Sequence, residues 1–246
     1  MGAEVRPALS PARAAIFSPI GDEGRALLVE RRIAEAIHTG LLSDGERLPT
    51  EAELAQLFGV APVTAREALV ALRADGLVTT VRGRNGGSFI TAPHGDDITH
   101  RRLAAMSRVE LRDRASQYLV VLTGCAELAA ERVDPDEAEY IRGLIPDLDD
   151  PDVGAWRRAE TEFWLAVAAL TQSARLTREV IRLEADFGTL LRLPLQVAEH
   201  RAATTTRLTA LADALETGAA ADARRLTREQ LKDAIEGLAD LHAAMP

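Results

Sequence analysis

The chain contains one cysteine, one lysine and 4% aromatic residues among its 246 positions. The lone Cys125 excludes an internal disulfide and fits a reducing compartment. Its neighbours Leu122, Ala126 and Ala129 make it a small core residue rather than a nucleophile. Scarce aromatics leave the core to Ala, Leu, Val and Ile, and the few β-branched runs beyond residue 95 favour helix. Lys232 is the sole lysine, so the other basic residues are arginines, a skew read first as codon usage. No apolar run approaches the length of a membrane span. Arg6 and Arg13 precede no compact apolar stretch with a cleavage site, so no signal peptide is expected. These absences predict a cytoplasmic protein with no membrane partner.

Catalytic apparatus is also missing. The chain shows no nucleophile–base pair, no phosphate-binding loop and no metal-ligand spacing among its histidines. Glu160 and Glu162 are two apart, so on a helix they face different ways. An enzyme is not expected.

The net charge of −9 speaks against nucleic acid until it is divided. Residues 1–93 carry ten arginines against eleven acids, close to neutral. The acidity belongs to the second part, where it would repel DNA. Local clustering in the first part then decides.

What is present is a succession of short elements. Residues 1–20 hold Pro7, Pro11 and Pro19 with little periodicity and read as a flexible arm. A head domain is expected over 21–92. Its first helix runs from about Arg25 to Thr39, with Leu28, Ile33 and Ile37 near one face and Gly40 as C-cap. Ser43-Asp44-Gly45 is a turn. Thr50 and Glu53 form a capping box for a second helix that buries Leu54, Leu57 and Phe58. Gly59 ends it, and Pro62 suits the first position of a third helix reaching Ala74. Leu77–Val81 and Ser88–Thr91 read as strands around an Arg82–Gly87 loop. This order is a winged helix-turn-helix, three helices plus a two-stranded wing. A linker over 93–97 follows, then helical patterns at about 98–107, 109–132, 135–145, 153–170, 175–192, 195–217 and 219–243. The fold class is mainly α, the second domain (98–243) being an all-α bundle of six or seven helices.

A recognition helix needs short and hydrogen-bonding side chains at its N-terminus, which approaches bases and phosphates. Here that end offers Pro62, Val63, Thr64 and Arg66. Arg66 can grip a guanine edge or a phosphate with two hydrogen bonds. The wing offers Arg82, Gly83, Arg84 and Asn85 for phosphates or the minor groove. Arg47 and Thr50 flank the same surface. Taken singly, Thr-x-Arg is usually a solvated face and Arg-Gly-Arg a turn. Together around a helix-turn-helix they point to double-stranded DNA.

The stretch from Val29 to Ala92 resembles the GntR family of bacterial regulators. Gly45-Glu46-Arg47-Leu48-Pro49, Glu53-Leu54-Ala55, Phe58-Gly59-Val60, Arg66-Glu67-Ala68-Leu69, Asp75-Gly76-Leu77 and Arg82-Gly83-Arg84 carry the likeness. Ala52 and Pro62 stand where the family often has arginines that touch DNA, which implies a different operator or weaker binding. The helical part resembles the FadR-type effector domain, FCD, through Leu128–Arg132 and Glu160-Thr161-Glu162-Phe163-Trp164. Many such domains hold a divalent metal with an Asp and three His. The matching positions here are Glu160, Trp164, Leu208 and Gln230, so the resemblance implies no metal and no cofactor. His200 follows Glu199 as a family ligand does, but lies eight residues early and reads as a surface histidine.

A pocket without metal is the remaining expectation. Arg157, Glu160 and Trp164 share a helical face, with Leu208, Leu211 and Gln230 opposite. Arg157, Arg182 or Arg192 would then receive a carboxylic acid effector. The alternative is a filled core and a regulator without effector. The resemblance implies a homodimeric regulator, with a repressor favoured, on a palindromic operator.

Overall fold

The computed structural model describes residues 24–83, 86–91, 96–148 and 152–245, with backbone alone at 96–98. The arm at 1–20, Arg84, Asn85 and Pro93-His94-Gly95 lie outside the described residues. The chain divides into two compact units, one comprising residues up to 34 with 44–91, the other 35–43 with 92 onward.

In the first unit, helix α1 (Arg25–His38) buries Val29 and Ile33, one turn apart. Ile33 and Ile37 of the expected face are buried, and Val29 takes the inward place expected of Leu28, which is half-buried. Helix α2 (Glu51–Phe58) opens on the capping box. The Glu53 amide donates to Thr50 Oγ1 at 3.3 Å, and the Thr50 amide donates to Glu53 Oε2 at 2.9 Å. Its inward stripe is Leu54, Ala55 and Phe58, which turns Leu57 to the rim at 36% exposure, contrary to expectation. Gly59 ends α2 at φ +66°, where any Cβ would meet its own backbone. Helix α3 (Pro62–Ala74) starts on Pro62 and buries Ala65, Ala68, Leu69 and Leu72. The α2 and α3 axes are bent by 111°, within the range of helix-turn-helix units.

Strands β1 (Val78–Val81) and β2 (Gly87–Ile90) pair antiparallel, Val78 opposite Ile90 and Val81 opposite Gly87. The segment before α2 joins them. Arg47 bridges Phe89, the Leu48 amide donates to the Ser88 carbonyl, and the Ile90 amide donates to the Glu46 carbonyl. The wing thus has a third extended edge. That stretch is too short to show alternation.

The second unit holds seven α-helices among the described residues: α4 (Asp96–Ala104), α5 (Arg108–Ala130), α6 (Pro135–Gly143), α7 (Val153–Leu170), α8 (Ala174–Asp186), α9 (Ala198–Glu216) and α10 (Ala220–Ala243). Asp96 and Asp97, expected in the linker, begin α4. The long helices α5 and α10 pack along each other, α7 and α8 cover α5, and α6 lies on α9. Ser107, Asp134, Asp152 and Ser173 each cap a helix through a side-chain oxygen.

The helix expected over 175–192 stops at Asp186, and two 3-10 turns, Gly188–Arg192 and Pro194–Gln196, follow. Beside the break, the Arg157 guanidinium takes the Gly188 carbonyl, Nη2 at 2.9 Å and Nε at 3.2 Å. A Cβ on Gly188 would run into the Glu184 carboxylate. Pro194, without an amide proton, prevents the helix from resuming. Cys125 is buried, and burial pushes its thiol up to about 11, so it stays protonated.

Candidate DNA-reading face and ligand cleft

The outer face of α3 is set by what its inner face buries. With Ala65, Ala68, Leu69 and Leu72 inward, Pro62, Val63, Arg66, Glu67 and Val70 face outward, and Thr64 lies at the margin. Val63 is 60% exposed. No side chain caps the α3 N-terminus, where the N-cap is Ala61. Its positive end therefore meets whatever approaches. Arg66 Nε donates to Glu51 Oε2 at 3.0 Å in a solvent-exposed pair. The pair orients the guanidinium at little energetic cost to its release.

Thr50 is exposed, but its hydroxyl is engaged with Glu53, which it also contacts at 3.0 Å. Its cap role is structural. Arg47 is turned to the wing, Nη2 donating to the Gly86 carbonyl at 2.8 Å. A Cβ on Gly86 would stand 2.5 Å from the Val81 carbonyl, and one on Gly87 would stand 2.8 Å from Arg47 Nε. Gly86 thus lets the chain pass close to Val81, and Gly87 leaves room for the Arg47 side chain. Arg82 and Gly83 are exposed at its tip.

The residues expected to form a pocket in the helical unit separate into two groups. Glu160 and Gln230 line a cleft of ≈720 Å³. Arg157, Trp164, Leu208 and Leu211 do not line it; they are buried in the packing around it. Arg157, expected to meet a carboxylic acid, is committed to protein. Its Nη2 donates to Glu184 Oε2 at 2.6 Å, and Nη1 stands 3.3 Å from Glu160 Oε2. Tyr118 donates its hydroxyl to Glu184 Oε1 at 2.5 Å, and Thr161 donates to Oε2 at 3.4 Å. Arg182 is held by Glu179, and neither it nor Arg192 borders the cleft.

This cluster places one guanidinium between two buried carboxylates. Burial alone would lower the Arg157 pKa, but Glu184 and Glu160 outweigh it and hold it above the arginine range. Burial, then the Glu184 charge, push the Tyr118 phenol well up. Burial also pushes the Glu160 carboxyl above the usual carboxylate range, against the pull of Arg157. A carboxyl whose folded pKa is raised adds stability below its unfolded pKa and loses it as pH rises through the folded value. Glu160→Gln is therefore expected to unfold at a higher urea concentration than the parent at pH 8, with the difference shrinking toward pH 4. Equal midpoints at pH 8 would mean that Arg157 compensates the ionised carboxylate in full.

The cleft also gathers residues that no local pattern marked. Thr204, from α9, accepts from Gln230 Nε2 at 3.0 Å, and Arg207 lies 3.4 Å from Gln230 Oε1 while pairing with Asp233. His100 and His200 border the opening. His200 is exposed, as a surface histidine would be. Among the described residues, no group of three or more His, Cys, Asp or Glu is placed to hold a metal. At the positions matching the FCD metal ligands, Trp164 and Leu208 offer no donor and the Gln230 amide is engaged with Thr204. The family's metal does not fit these residues.

No single helix among the described residues is long and apolar enough to cross a membrane. Residues 26–89 match the bacterial regulatory proteins of the gntR family, and residues 119–233 match the FCD domain. The HTH-type transcriptional regulator sequence RmpR of Mycobacterium gastri is 35% identical over 195 residues, covering 77% of this chain and 70% of its own. Mce2R of Mycobacterium tuberculosis, also an HTH-type transcriptional regulator, is 35% identical over 141 residues, covering 55% of this chain and 59% of its own length. Among solved structures, McbR/YncC of E. coli shares the fold at a TM-score of 0.54 and 19% identity, covering 89% of this chain and 99% of that one. A bent helix pair with a wing, these sequence matches and a helical FCD unit leave one assignment: the chain belongs to the GntR family of bacterial regulators, as a transcriptional regulator with a winged helix-turn-helix head and an FCD domain, not an enzyme.

Proposed function

We propose that the protein is a homodimeric repressor that reads a palindromic operator with two heads and is released by a small metabolite bound in the helical unit. Within each head, α3 enters the major groove. Val63, Thr64 and Arg66 are offered to base edges and phosphates, and Pro62 pre-sets the turn. Arg82 and Gly83 of the wing reach the flanking backbone, and so would Arg84 and Asn85. Arg47 and Thr50 hold the wing and α2 in place and are assigned support rather than base reading. The observation that carries this reading is the exposed Val63–Arg66 face on a helix bent by 111° from its partner.

Repression needs only occupancy of a promoter. Release needs a ligand that favours the conformations in which the two heads do not match the half-sites. A regulator with a filled effector domain draws support from buried Trp164, Leu208 and Leu211, but the cleft beside Glu160 favours a sensor. The test is binding to a palindromic fragment from the protein's own promoter region, followed as salt is raised. Log affinity should fall linearly with log salt, and two protomers should occupy one fragment at saturation. One protomer per fragment at saturation would rule out the dimeric reading.

A further inference from the structure

We propose that the cleft of the helical unit takes an organic cation, a primary ammonium or guanidinium compound with a short carbon body, rather than a carboxylic acid. The inference rests on reading this cleft as the effector site. Its first support is Glu160. The side chain is 3% exposed, lines the cleft, and leaves Oε2 without a hydrogen-bond partner. Its charged neighbour Arg157 stands 3.3 Å away through Nη1, an ion pair outside hydrogen-bond geometry, while Nη2 donates to Glu184 and Gly188. With one guanidinium shared between Glu160 and Glu184, Glu160 has the Trp164 indole as a nearby donor, and Oε2 is left with an ion pair and no hydrogen bond. A buried polar group of this kind calls for a donor.

The second support is the rest of the wall. Asp233, Glu236 and Asp240 add three carboxylates, while among the described residues Arg207 is the one arginine or lysine lining the cleft, beside His100 and His200, and is already paired with Asp233. A carboxylate ligand would approach Glu160 against four acids, whereas an ammonium would be drawn in by the same field. Gln230 spends its amide N–H on Thr204, while its oxygen takes Arg207 Nη1 at 3.4 Å and keeps a second lone pair to accept. Leu191, Leu193, Leu195 and Leu241 supply an apolar wall for a carbon chain. At ≈720 Å³ the cleft suits a small organic molecule, not a bare ion. Among the described residues no ligand cluster for a metal is present.

The test uses the full-length protein and four probe classes: putrescine and agmatine, succinate and glucuronate, a neutral polyol, and Mg²⁺ or Zn²⁺. Thermal unfolding and tryptophan fluorescence are read in parallel, since both tryptophans, Trp156 and Trp164, sit on α7 with Glu160. An amine is expected to raise the unfolding midpoint and change the fluorescence. Glu160→Gln should weaken its binding at least tenfold, and the exposed pair Glu236→Gln with Asp240→Asn severalfold. The second variant keeps the test open should the first fail to fold. An amine response unchanged in both variants would overturn the proposal. So would a response to carboxylates or to metal alone, although the effector reading would then stand. A panel in which no class responds would remove both.

Discussion

Replacing Arg157 with alanine is expected to cost the helical unit about 3–5 kcal/mol of folding stability, the loss seen when one partner of a buried ion pair is removed. The guanidinium is 7% exposed, and its partner Glu184 has a fully buried side chain. Without it, the Glu184 carboxylate keeps only the Tyr118 and Thr161 hydroxyls, and the Gly188 carbonyl loses two donors. The turn from Gly188 to Arg192 is then held by less, so the break between α8 and α9 should loosen with it. Urea denaturation followed by tryptophan fluorescence reads this unit directly. The double variant Arg157→Met with Glu184→Gln should recover part of the loss, because Glu160 is then the one acid of the cluster left without its cation. A loss below about 1 kcal/mol, the scale of a solvent-exposed pair, would show that the cluster is open to water in solution.

Arg66→Ala should weaken operator binding by roughly 10- to 100-fold, the 1–3 kcal/mol carried by one arginine gripping a base edge. The unfolding midpoint should hardly move, since the Arg66–Glu51 pair is exposed and worth little to the fold. That separation matters, because loss of binding with intact stability assigns the residue to DNA rather than to the head. Glu51→Gln is the companion measurement. It removes a negative charge beside the guanidinium and should leave binding equal or tighter. If Arg66→Ala binds like the parent at all salt concentrations, Arg66 is a solvated surface residue, and the reading of α3 must shift to Thr64 and the wing.

The head was largely legible in the chain because its signals are local. The Thr50–Glu53 box, Gly59 and Pro62 act within one or two turns, and each appears where its spacing places it. Leu57 was misread because a short helix can rotate its apolar stripe by one residue, and Ala55 competes for the same face. The third edge of the wing was not legible. Arg47 meets Phe89 across 42 residues, and only backbone pairing reports it.

The helical unit behaved differently. Arg157 and Glu160, three apart, form the pattern of an ordinary surface ion pair, and no spacing distinguishes it from a buried one. What buried them is α5 and α8, which bring Tyr118 and Glu184 to the same point from 39 and 27 residues away. The same cover turned Arg157 from a candidate ligand contact into an anchor for Gly188. Trp164, Leu208 and Leu211 could be placed on inward faces by periodicity, but whether those faces were packed or open depended on partners from other helices.

By itself the sequence determined the family, the order of most elements and the helix-turn-helix, since helix caps and periodic faces are encoded within a few residues. Only the tertiary structure decided which charges are buried, where α8 breaks, and that Glu160 and Gln230 open onto an acidic cleft while Arg157 does not. Burial is set by which distant helices cover a side chain, and no local pattern carries that information.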